Sequence, residues 1–114
     1  MRVLLVDDDP GYRAFVRITI EEALPAAEIV AEASDGDEAV ELALEHKPDL
    51  IFIDFAMPRM DGAAATLAIK HALPDVKVVM FSGTERSHEA AAVTEVRLIR
   101  KSALNVDTIR AALA

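Results

Sequence analysis

Five residues combine reactive side chains with places where apolar runs stop: Asp7 and Asp8 after Val3–Val6, Asp54 after Leu50–Ile53, Ser82 after Val76–Phe81, and Lys101 just beyond Val96–Ile99. Each run reads as a strand, and Leu50–Ile53, too short for a helix and apolar on both faces, reads as a central strand of a helix-covered parallel sheet. Such sheets build their sites outside the carboxyl ends of the strands, near the switch in strand order, so the five side chains are expected to converge on one rim. Two unit charges about 4 Å apart repel by roughly 4 kcal/mol at an effective dielectric near 20. Three carboxylates therefore call for a cation or for protonation. An all-oxygen set suits Mg²⁺, which is often shared with a phosphate. A lysine and a hydroxyl beside it would then meet phosphoryl oxygens that the metal leaves uncovered. The chemistry this predicts is phosphoryl transfer to a carboxylate. An Asp near the ordinary pKa of about 3.9 is already ionised at neutral pH and needs no base.

The elements that must position these groups alternate along the chain. Pro10, with Asp9 or Asp8 as cap, opens a helix with Phe15, Val16, Thr19, Ile20 and Ala23 at helical spacing, and Pro25 stops it. Glu28–Glu32 reads as a short strand, and Ser34-Asp35-Gly36-Asp37 turns into a helix carrying Ala39, Val40, Ala43 and Leu44 on one face. After the strand that ends at Asp54, Pro58 breaks the ladder and Asp61-Gly62 caps a third helix running to Pro74. Ser87–Val93 reads as a fourth helix, and Asn105 caps a last one with Ile109, Ala112 and Leu113 inward. Five strand–helix alternations with short connections imply right-handed crossovers over a parallel sheet, an α/β fold.

At 114 residues the chain is one domain, expected over 1–114, able to bury a core without staples. A net charge of −8 with no basic cluster argues against direct nucleic-acid binding or an anionic membrane. The absence of cysteine removes disulfides, thiolate nucleophiles and Cys-held metals, and Met1–Val6 is too short and too soon acidic for a signal peptide, so a cytoplasmic location is expected. His46, His71 and His88 lack ligand spacing, and Met57 and Met60 read as loop packing.

Taken together these motifs resemble a response-regulator receiver domain, the phosphoacceptor half of two-component signalling, over essentially the whole chain. The acid pair is Asp7-Asp8, the phosphoacceptor Asp54, the following pairs Met57-Pro58 and Asp61-Gly62, the hydroxyl residue Ser82 and the lysine Lys101. The resemblance implies a doubly wound, flavodoxin-like three-layer sandwich with strand order 2-1-3-4-5. It implies Mg²⁺ held by Asp8, Asp54 and the backbone carbonyl of Ala56, with Asp7 behind a water. It implies a sensor histidine kinase or phosphotransfer protein as donor. It also implies a homodimer surface formed by the fourth helix, last strand and last helix. The Lys101-Ser102-Ala103 ending is similar to receivers joined to helix-turn-helix outputs. Such a domain is not a conventional enzyme; it catalyses only its own phosphorylation and dephosphorylation.

Two features depart from the family pattern. Leu98 stands where receivers place a switching aromatic, and the interval from Ser82 to Lys101 is shortened. Leu98, lacking a ring and a polar edge, is expected to stay inward in both states while Ser82 meets the phosphoryl group, leaving the response to residues 85–96. Ser102 replaces a frequent cis proline, so a trans bond is expected there. The alternatives are a degenerate receiver that binds without phosphorylation, or a metal-dependent hydrolase or flavin-binding domain on the same fold. Asp7-Asp8-Asp9 would repel a flavin phosphate.

Overall fold

The computed structural model describes residues 1–83 and 96–114. Five parallel strands, β1 (Arg2–Val6), β2 (Glu28–Ala33), β3 (Leu50–Asp54), β4 (Lys77–Ser82) and β5 (Arg97–Arg100), form one sheet in the order β2-β1-β3-β4-β5. Four α-helices are described: α1 (Pro10–Ala23), α2 (Gly36–His46), α3 (Gly62–Ala72) and α4 (Val106–Leu113). The helix expected over 87–93, with His88 in it, lies outside the described residues.

The layers follow from residue alternation on the strands. Val3 and Leu5 of β1, Phe52 of β3, and Val79 and Phe81 of β4 pack against Val16 and Ile20 of α1 and Ile109 of α4. Their neighbours Leu4, Val6, Ile51, Ile53 and Met80 point to the other face, against Ala39 and Ala43 of α2 and Ala65 and Ile69 of α3. Because β3 is buried at every residue, the apolar run from Leu50 ends on a carboxylate that is itself buried. Met57 and Met60 pack against the second cluster, as loop packing requires.

Each described helix start is capped from within the stretch expected to open it, by Asp9 rather than Asp8 for α1. Asp9 accepts from the Gly11 and Tyr12 amides, Asp35 from Glu38 and Asp61 from Ala64, while Asn105 and Thr108 form a reciprocal capping box. Phe15 and Leu44 fall at helical spacing with core residues but are 47% and 46% exposed. They sit at the edges of their stripes, where the width of the covered face, not the period, decides burial. The Lys101–Ser102 peptide is trans.

Candidate functional site at the strand-end rim

The two central strands carry the acids to one place. Asp7 follows β1 directly, its amide donating to the Ala33 carbonyl of β2 at 3.1 Å, and Asp54 is the last residue of β3, paired in register with Phe81. Asp7 and Asp54 are buried and Asp8 is exposed, and all three offer carboxylate oxygens within 4.8 Å of one another. Lys101, first residue of a 3₁₀ turn that follows β5, places Nζ 3.1 Å from Asp54 Oδ2 and 3.5 Å from Asp7 Oδ2. Ser82 ends β4, buried, and lines a cavity of about 250 Å³ with Gly83, Arg100, Lys101 and Ser102. Ala56 is exposed, two residues beyond Asp54 on the loop to α3. Leu98 of β5 is half-buried against the α2–α3 cluster.

The electrostatics are strained. Burial, followed by the charge on Asp7, pushes the Asp54 carboxyl up to about 6, against the pull of Lys101 and the Ala56 amide. Asp54 is thus harder to ionise than an ordinary Asp, although the ionised form still leads at pH 7. Burial also raises the Asp7 carboxyl, although the Asp9 amide and Lys101 act to lower it. For Lys101, desolvation works against the ammonium, but hydrogen bonding to Asp54 and the charges of Asp54 and Asp7 outweigh it and raise the pKa. Lys101 thus faces two buried carboxylates, with Asp8 as a third beside them.

Whether the residues suit Mg²⁺ can be tested on the oxygens. Asp54 Oδ1 is buried without a hydrogen-bond partner, and Asp7 Oδ2, also buried, has no hydrogen bond and only the 3.5 Å ion pair to Lys101. Buried carboxylate oxygens so poorly satisfied are costly. A hard, oxygen-seeking cation would satisfy both, so the donor set fits Mg²⁺.

Sequence reasoning missed three residues around the rim. Arg13 Nη1 donates to the Asp7 carbonyl at 2.7 Å, fixing the backbone that carries the acid. Tyr12 donates its hydroxyl to the Lys101 carbonyl at 3.0 Å and lays its ring beneath Nζ, 4.5 Å from the centroid. Burial and the charges of Asp7 and Asp54 push the Tyr12 phenol up to about 12, so it stays a donor. Arg59, in the left-handed region at φ 66, ion-pairs with Asp35 and lies 3.5 Å from Asp37, tying the loop after Asp54 to the start of α2. A lone tyrosine just inside a helix beside the acid pair was the only available signal for the second.

Comparison with known proteins agrees with this geometry. A family model described as the response regulator receiver domain matches residues 3–111. The transcriptional regulatory protein LiaR of Bacillus subtilis is 39% identical over 118 residues, covering 98% of this chain and 56% of that protein. The transcriptional regulatory protein PdtaR of Mycobacterium tuberculosis is 44% identical over 99 residues, 81% of this chain and 46% of that protein. The chain thus spans about half the length of these curated relatives. Among solved structures, the REC domain of AraT from Geobacillus stearothermophilus superposes with a TM-score of 0.85 at 32% identity, covering 96% of this chain and 87% of that one.

Proposed function

Because the chain belongs to the response regulator receiver domain family, we propose that it takes a phosphoryl group from a sensor histidine kinase or phosphotransfer protein onto Asp54 and relays the change to an output. The observation that carries this reading is the meeting of Asp7, Asp8 and Asp54 with Lys101 at one rim, two buried carboxylate oxygens being left without a hydrogen bond. Asp8, Asp54 and the Ala56 carbonyl would hold Mg²⁺, with Asp7 acting through a water. When bound, the ion supplies positive charge that offsets the carboxylates and the incoming phosphoryl oxygens.

Asp54 is the nucleophile. A carboxylate oxygen forms the bond to phosphorus while the N–P bond of the phosphoimidazole breaks, its electron pair returning to the donor ring nitrogen. Lys101, already 3.1 Å from Asp54 Oδ2, supplies the counter-charge, and Ser82 offers its hydroxyl from the end of β4. The chain then catalyses its own phosphorylation and dephosphorylation and no reaction on an external substrate. The response is expected in residues 85–96, most of which lie outside the described residues, with Leu98 keeping its contact on the α2–α3 face.

A DNA-binding output would need another domain or a partner. A net charge of −8 gives this domain no footprint for direct DNA binding, and among the described residues no helix is long and apolar enough to cross a membrane. A cytoplasmic location fits this reading, as does a homodimer through the last strand, the last helix and the fourth helix expected over 87–93, which lies outside the described residues. Labelling with phosphoramidate and Mg²⁺ tests it. Base-stable modification, or full labelling of Asp54→Asn, would show the acceptor assignment to be wrong, whereas base-labile label lost with Asp54→Asn supports it.

A further inference from the structure

Lys101 is held at both of its ends by one residue. The Tyr12 hydroxyl donates to the Lys101 backbone carbonyl at 3.0 Å, and the face of the same ring lies 4.5 Å from Nζ. Phe81 gives a second, more distant face at 5.8 Å, and the two rings stand 5.8 Å apart at 44°. A lysine side chain with four rotatable bonds, 27% exposed, would otherwise sample positions away from the acids.

Tyr12 is itself fixed. Asp9 accepts from its amide at 3.4 Å, and the next residue, Arg13, grips the Asp7 carbonyl. The first turn of α1 therefore holds both the backbone of an acid and the cation that faces it, across 89 positions of sequence.

We propose that Tyr12 is a positioning residue for the acceptor site, its hydroxyl fixing the Lys101 backbone and its ring face holding the ammonium within reach of Asp54 and Asp7. This rests on the reading of Lys101 as the counter-charge. The ring is the larger contributor, because it acts on the charged end. Tyr12→Phe keeps the ring and loses only the bridge to the carbonyl. Tyr12→Leu fills space but presents no π face.

Proton NMR of the unphosphorylated protein tests the contact without reference to phosphorylation. A side chain over a ring face is shielded, so the Lys101 Hε protons are expected upfield of an ordinary lysine in the wild type and in Tyr12→Phe, and near the ordinary position in Tyr12→Leu. Ordinary Lys101 Hε shifts in the wild type would overturn the proposal, whether or not the leucine variant folds. Phosphoramidate labelling at saturating Mg²⁺ then reads the consequence. Tyr12→Leu is expected to label about three- to tenfold more slowly with its Mg²⁺ affinity held within about twofold, and Tyr12→Phe to keep most of the rate. Wild-type labelling rates in Tyr12→Leu, or an equal loss of rate and Mg²⁺ affinity, would count against positioning. If the wild type takes no label at all, the acceptor reading fails, while the Lys101 shifts still decide the role of Tyr12.

Discussion

Asp54 holds its charge against its surroundings. Its carboxyl is pushed from the ordinary 3.8 up to about 6, chiefly by burial and then by Asp7. A carboxylate raised in the folded state binds its proton more tightly there than in the unfolded chain. Folding stability contributed by this group therefore falls as pH rises from about 4 through 6, and its ionisation costs stability at pH 7. Asp54→Asn removes that charge at nearly constant shape. In metal-free buffer at pH 7 the variant is expected to be more stable than the wild type by about 1–3 kcal/mol in urea unfolding, the gap closing toward pH 4. A variant that is less stable at pH 7, or a gap that widens on acidification, would show that Lys101 more than compensates for burial.

The loop from β3 to α3 is built by close approach. A Cβ on Gly62 would lie 2.3 Å from the Asp54 carbonyl oxygen and 2.9 Å from Phe55 Cα, and one on Gly36 would lie 2.4 Å from the Met60 carbonyl oxygen. These neighbours are backbone and cannot swing aside, so the start of α3 is pressed onto the end of β3 and the start of α2 onto the loop. Arg59 adds its ion pairs to Asp35 and Asp37 on the same side. Gly62→Ala must displace the residue that carries the acceptor carboxylate. It is expected to cost about 2–3 kcal/mol in urea unfolding. Gly83→Ala is the control, since a Cβ there meets nothing within 4 Å, and it is expected to be near neutral. Equal effects at the two glycines would remove the close-approach explanation.

At the scale of the whole molecule, the site and the fold share one free energy. The acids terminate strands β1 and β3 at the middle of the sheet, so an ion bound there adds a link between elements already joined by ladder, core and Lys101. A ligand that binds only the folded state stabilises it by RT ln(1 + [L]/Kd), about 1.4 kcal/mol at tenfold Kd. Mg²⁺ is expected to raise the melting temperature beyond the effect of NaCl at matched ionic strength, and Asp54→Asn to lose most of that excess. An identical rise with NaCl alone would mean that screening of the −8 net charge, not a bound ion, is responsible.

Much of this was legible because it is local. An apolar run that stops on Asp7, Asp54 or Ser82 states both that a strand is buried and where it ends, and four such runs in one direction place their ends on one rim. Asp9, Asp35, Asp61 and Asn105 announced four helix starts because a cap acts within a single turn. What the sequence alone left open depends on distances between segments far apart in the chain. Whether Phe15 and Leu44 are covered was decided by how far each helix's neighbours extend. The raised pKa of Asp54 came from how much water the closed rim excludes. The contact of Tyr12 with Lys101 exists because packing brings the first turn of α1 beneath the end of β5, and the spacing of neither residue encodes that approach.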